Sequence, residues 1–369
     1  MKLIIKLPAL LLLLCFSCNR QNGSKDINPQ IVERQSKPTA IGKPVTELDN
    51  NIMVIFQDSQ NDYWFGGSQQ GVYKYDGKNL VLLTEEDGVC SKAILGIQED
   101  KLGNIYFDTT EGVCQFDGQQ VTMLEVIEKD FSKQDWQLNP DDLWFRMGWD
   151  KSGPYRYDGQ NLYALELPKT EQGDKFHALY PNASFSPYGV YSIYRDSKGS
   201  MWFGTSSVGV CRFDGATISW IYEDQMTNTP EGGALGIRSV LEDNEGYFWF
   251  TNTRYCYDIL PGSFDRNETN FLRYNKQPGI GYSNEKGRTD YPYFMSIVED
   301  HKGDLWMVTY SDGVWRNDGE KLIHYPIMDG KKKVLLFSIY KDNKGDLWLG
   351  THNAGVYKYQ GGSCVKFAP

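Results

Sequence analysis

Histidine is scarce in this chain: the four residues His177, His301, His324 and His352 stand far apart. No two have the spacing of metal ligands, and no G-x-S-x-G or phosphate-loop motif appears, so a familiar catalytic or metal centre has no sequence support. No cofactor and no metal are expected. Positive charge is also in short supply, with a formal net charge of -10. The one basic run, Lys331-Lys332-Lys333, lies beside turn residues, which leaves no surface suited to a phosphate backbone and excludes nucleic acid as a partner. Beyond Leu14 no apolar run is long enough to cross a bilayer as a helix, so signalling across an inner membrane would need a second protein.

The one apolar run is N-terminal. Met1-Lys2 precedes a stretch to Leu14 and then Cys15-Phe16-Ser17-Cys18, the charged and apolar regions of a secretory signal. Phe16-Ser17-Cys18 resembles a lipobox, with Cys15 where Leu is usual. That resemblance implies a signal peptide over 1–17, lipidation of Cys18 and attachment to a membrane through that lipid. Residues 18–45 read as a polar tether. The tether lacks an acidic run after the cysteine, so the periplasmic side of an outer membrane is expected rather than the cell surface. Removing Cys15 and acylating Cys18 leaves Cys90, Cys114, Cys211, Cys256 and Cys364, an odd set that cannot pair completely. Cys114 and Cys211 sit at like places in separate repeats and read as buried packing residues.

What the chain has in abundance is glycine, aromatic residues and internal repetition. An aromatic follows an Asp by six residues in Asp58/Trp64, Asp100/Tyr106, Asp196/Trp202, Asp243/Trp249, Asp300/Trp306 and Asp342/Trp348. A weaker copy contains Asp142-Leu143-Trp144-Phe145 and Tyr155-Arg156-Tyr157-Asp158-Gly159. Seven copies give a period of about 46 residues, the length of a four-stranded propeller blade. Each piece has a physical task. An alternating strand such as Met295–Glu299 comes first. Asp with Lys-Gly or Glu-Gly then closes a hairpin, because Gly accepts positive φ and the Asp side chain bonds turn amides. A Trp-bearing second strand follows. A third strand ends in Asp-Gly, as in Tyr75-Asp76-Gly77 and Phe213-Asp214-Gly215, so the fourth strand turns back at once. One sheet cannot bury both its faces alone, and a closed ring solves that.

The expected fold is therefore all-β, a seven-bladed β-propeller of four-stranded antiparallel blades over 46–369. Its blades fall at about 50–85, 92–124, 140–166, 189–222, 236–273, 293–327 and 335–369. The pattern I-x-x-D-x-x-G-x-x-W-x-G-T, followed by G-V and an aromatic, is similar to the repeat of two-component regulator propellers. The resemblance implies a non-catalytic, monomeric relative of periplasmic sensor propellers, standing alone without kinase domains, that binds a small polar ligand such as a glycan fragment or an envelope protein. The two other functional readings are an interaction scaffold of the envelope and a cation-assisted lyase similar to virginiamycin B lyase. For the lyase, His352 or His177 would have to act as base beside a metal that no carboxylate group is placed to hold.

Loops joining the second to the third strand share one face with the connections between blades. The long insertions, at about 124–141, 166–189, 222–236 and 259–292, are assigned to that face, leaving the other uniformly tight. Several residues there break the repeat's rule: Arg146 and Asp108 where Gly is usual, Arg254 where small residues recur, His352 after Thr351, and Arg238 where other copies have Tyr191, Met295 or Phe337. With Tyr310 and Trp149 they would suit a polar ligand. Arg146, Arg238, Arg254, Tyr310 and His352 are the candidate contacts. Each could equally be a solvated loop residue or half of an ion pair such as Arg with Asp108.

Overall fold

In a computed structural model, residues 41–127, 136–148, 150–223, 226, 235–266, 269–284 and 286–369 are described here. The signal peptide, Cys18, most of the tether and Trp149 lie outside the described residues.

The fold is a β-propeller of successive up-and-down sheets. The first contains Val54–Gln57, Tyr63–Gly66, Val72–Tyr75 and Leu80–Leu83, each antiparallel to the next. The pattern recurs from Ile94–Glu99 to Val121–Met123, from Val190–Arg195 to Ile218–Ile221, from Val240–Glu242 to Thr269–Pro278, from Ser296–Glu299 to Leu322–Tyr325 and from Leu336–Lys341 to Ser363–Lys366.

The weak copy departs from the pattern. Among the described residues its Trp144 strand, Leu143–Phe145, has no regular strand on its inner side, and Val126–Ile127 is added in parallel at the outer edge against Leu162–Ala164. The tether also ends earlier than expected, because Lys43–Val45 is an extra strand paired with Leu80–Leu83. Pro44 is tolerated there because an edge strand can spare one N–H.

The Asp-to-aromatic spacing has a direct cause. One carboxylate oxygen accepts the indole N–H six residues on, in Asp58–Trp64 (2.7 Å), Asp196–Trp202 (2.8 Å), Asp243–Trp249 (2.7 Å), Asp300–Trp306 (2.9 Å) and Asp342–Trp348 (2.9 Å). The Tyr106 hydroxyl donates to Asp100 in the same way. The other oxygen takes turn amides, such as those of Lys344 and Asp346 at Asp342. At Asp342, burial alone would raise the carboxyl, but the Trp348 indole, the Tyr63 hydroxyl and those amides together hold it below the usual carboxylate range. In the weak copy Asp142 bonds Arg156 instead, at 3.0 Å, and the Trp144 indole N–H has no partner among the described residues.

The core lies between sheets rather than at the ring's centre. One apolar cluster joins Trp64, Val72 and Leu83 of the first sheet to Ile97, Phe107 and Phe116 of the next. Another joins Phe65 and Tyr73 to Trp348 and Val356 of the last sheet. Polar clamps follow the same neighbours. Glu99 accepts from Ser59, Glu242 from Ser197 and Glu299 from Asn244, each reaching the preceding sheet's turn. Gln57 does the same for the last sheet, accepting from the Asn343 amide at 2.9 Å.

Among the described residues, no strand is exchanged where the first and last sheets meet. The first and last sheets join through an Ile52–Thr351 bridge, the Gly355 amide on the Asn50 carbonyl and the Tyr63 hydroxyl on Asp342.

Two expectations are corrected here. Cys114 is fully buried, but it is bonded to Cys90 rather than being a packing residue alone, while Cys211 is buried and free. The 259–292 segment is largely not a loop over the mouth. Tyr255–Arg266 and Thr269–Pro278 are elongated third and fourth strands, and Phe271 pairs with Trp220 on the outer strand of the preceding sheet. A large aromatic with a buried partner one sheet away is what draws the hairpin outward.

Candidate functional site

The inner strands begin, and the second strands end, around a cavity of about 390 Å³. Its wall comes from strand starts and short loops of successive sheets, and among the described residues none that lines it belongs to the four long insertions.

Two layers can be distinguished by chemistry. Residues at or next to the starts of the inner strands supply an aliphatic and aromatic belt of Val54, Ile94, Val190, Met295 and Phe337, with Met53 and Leu95 beside it. The polar groups are Ser68, Arg146, Tyr191, Arg238, Tyr310 and His352.

Arg146 replaces the glycine that usually follows the second strand. Its amide and that of Met147 both donate to the buried Asp108 carboxylate at 2.9 Å, and its guanidinium lies 3.6 Å from the same group. Burial pushes the Asp108 carboxyl up, while Arg146 and the two amides pull it back. One Arg146 nitrogen also donates to the Tyr191 carbonyl at 2.9 Å, so this side chain is held by the protein itself.

Arg238 is placed differently. Its Nε donates to the Leu235 carbonyl at 2.9 Å, and its guanidinium lies 4.0 Å over the Tyr191 ring. Among the described residues no carboxylate pairs with it. Burial lowers its pKa from the ordinary value, the Tyr191 hydroxyl opposes that, and Arg146 nearby adds to the lowering. A guanidinium does not give up its proton in a protein, so the shift records a charge whose solvation is incomplete.

His352 is oriented by Asn51. The Asn51 carbonyl oxygen accepts from the Ser68 amide at 2.7 Å, which turns its NH₂ group towards the His352 carbonyl and Nδ1, each at 3.1 Å. Nδ1 is thereby assigned as an acceptor and Nε2 carries the proton. Tyr310 is exposed, its ring 6.4 Å from that of His352.

Arg146, Arg238, Tyr310 and His352 thus share one cavity. Arg254 does not join them. It lies at the base of the elongated hairpin, with its guanidinium 5.2 Å from the Tyr291 ring, its amide donating to the Asn252 side chain at 3.0 Å, and its carbonyl accepting from Gly279. It does not line the cavity. Sequence reading missed the belt, since Val54, Ile94 and Val190 look like ordinary alternating strand residues. Their only signal is position, at the beginning of the inner strand.

The polar lining is rich in donors, and no Asp, Glu, Asn or Gln lines the cavity among the described residues. No group of three or more His, Cys, Asp or Glu side chains is placed to hold a metal ion among the described residues, and no described helix is long and apolar enough to cross a membrane.

Residues 184–207 and 332–353 match the family model described as "Two component regulator propeller". No curated protein sequence matches the chain. Among solved structures it is similar to the extracellular domain of BT4673 from B. thetaiotaomicron, a domain assigned to a one component system, at 19% identity and TM-score 0.57 over 86% of this chain and 40% of that one. It is similar to virginiamycin B lyase from Staphylococcus aureus at 14% identity and TM-score 0.58, over 86% and 97% of the two chains. PorZ, a surface component of the type-IX secretion system of Porphyromonas gingivalis, matches at 17% identity and TM-score 0.54 over 88% of this chain and 48% of that one. The chain therefore spans about two-fifths of the BT4673 domain. Two segments of the chain thus match the repeat of two-component regulator propellers, and the chain is folded as a β-propeller.

Proposed function

We propose that this chain is a seven-bladed, lipid-anchored envelope protein whose channel mouth binds a small ligand without chemistry, in the manner of a sensor domain. The observation that carries this reading is convergence. Arg146, Arg238, Tyr310 and His352 come from separate sheets and meet at one cavity of ligand size. The similarity to extracellular sensor domains supports an envelope location, and Cys18 is proposed as the lipid anchor on the periplasmic side. A lyase reading is disfavoured by charge, because the Arg238 guanidinium at the mouth opposes a bound divalent cation, while the other guanidinium there, Arg146, is already paired with Asp108.

A scaffold reading has one observation of its own. The helix Glu171–Leu179, capped by Thr170, leaves Leu179 and the adjoining Tyr180 exposed by 72% and 58%, on an insertion outside the mouth.

A thermal-shift screen of the full-length protein against glycan fragments, small organic acids and divalent cations tests the ligand reading. A ligand at a hundredfold excess over its Kd should stabilise the fold by about 2.7 kcal/mol. A shift with a small organic molecule, abolished by Arg238→Gln, supports it. A shift with cations alone would instead favour the lyase, and none with any class would favour the scaffold.

A further inference from the structure

Which molecule fits the mouth follows from what lines it. Hydroxyl-rich neutral sugars need acceptors as well as donors, because each hydroxyl both gives and takes a hydrogen bond. This cavity presents guanidinium, imidazole N–H and hydroxyl groups, with no carboxylate or amide side chain in its wall among the described residues. The chain carries a net charge of -10, yet Arg238 stands in this wall without a carboxylate partner among the described residues.

The planar fork of Arg238 is already oriented. Its Nε is held by the Leu235 carbonyl and its face by the Tyr191 ring, so little side-chain freedom is lost when the two terminal nitrogens meet an acceptor pair. The same cavity is lined by the belt of Val54, Ile94, Leu95, Val190, Met295 and Phe337, whose side chains offer a polar ligand nothing to bond and an apolar one a surface to bury.

We propose that the channel mouth takes a small organic carboxylate with an apolar body, such as an aromatic or branched aliphatic acid. The carboxylate sits in bidentate contact with Arg238 and the body sits against the belt. Arg146 is a positioning residue, neutralised by Asp108 and bonded to the Tyr191 backbone carbonyl, and it anchors the main chain of the residue whose ring supports Arg238. This rests on the ligand-binding reading above and narrows it to one chemical class.

The test is calorimetric titration of the full-length protein with 4-tert-butylbenzoate, its primary amide, glucuronate, glucose and inorganic phosphate. The aromatic acid is expected to bind saturably and the amide at least tenfold more weakly. Arg238→Gln should cost a tenfold or greater loss, and Arg238→Lys should retain part of the affinity because it keeps the charge without the fork. Leu95→Glu, which places a competing carboxylate in the wall while leaving Arg238 intact, should also abolish binding, and a melting temperature close to wild type for either variant separates lost binding from lost folding. Equal binding of acid and amide overturns the proposal, as does indifference to Arg238→Gln. Tighter binding of glucuronate overturns the apolar body, and phosphate binding as tightly as the aromatic acid overturns the carboxylate. If every acid fails while neutral glycan fragments raise the melting temperature, this proposal falls and the ligand-binding reading stands; if both fail, both fall.

Discussion

At the scale of single residues the repeat is held by a bond the spacing alone did not disclose. An Asp six residues before a Trp is visible in the sequence, and a turn Asp bonding its own amides was the expected role. The second role, accepting the indole N–H, depends on strand register bringing the ring back over the turn. The odd copy provides an internal control, because Trp144 occupies the same kind of buried place as Trp348 while its indole N–H has no partner among the described residues. Both substitutions to Phe remove similar apolar area, but only Trp348→Phe also strips Asp342 of a donor. Trp348→Phe is therefore expected to destabilise the protein by about 1–2 kcal/mol more than Trp144→Phe, measured as the difference between their urea-unfolding free energies. Equal losses would mean that the indole bond contributes nothing beyond packing.

At the scale of elements, the strands and hairpins were legible because period-two alternation, Asp-Gly turns and a repeated aromatic each state a local requirement. What was not legible depends on contacts between distant segments. Cys90 and Cys114 lie in different parts of the repeat, one on the connection between sheets and one on Val113–Phe116, so no motif marks them as a pair. The elongated hairpin is set by Phe271 finding Trp220 on another sheet, and that same hairpin carries Arg254 away from the mouth. Arg146, Arg238 and His352 could be picked out because each breaks the repeat at a strand start or a short loop, the places that topology turns towards the axis, and Tyr310 because it stands in such a loop. The disulfide spans 24 residues. Closing a loop of that length restrains the unfolded chain by about 3 kcal/mol. Cys114→Ala should lower the melting temperature accordingly, and a reducing agent should destabilise the parent protein while leaving the variant unchanged; equal responses to the reductant would place no structural bond there.

At the scale of the whole molecule, each sheet leans on two neighbours, and the ring's integrity depends on the seam where the chain's first and last sheets meet. Elsewhere neighbouring sheets are joined by a connection of chain as well as by packing; at the seam only non-covalent contacts act. Asn51 is central to it. Buried to 4% exposure, it accepts from the Ser68 amide and hydroxyl and donates to His352 of the last sheet. Asn51→Ala leaves those partners without it, a cost of about 2–4 kcal/mol. Because His352 lines the mouth, the same change should weaken ligand binding without removing any group that contacts the ligand. The loss should also be local. Amide exchange should quicken first in Val54–Gln57 and Leu336–Lys341 while Val190–Arg195, across the ring, remains protected. Uniform acceleration instead would show that the sheets open together, and that the seam is as strong as the joints where the chain continues.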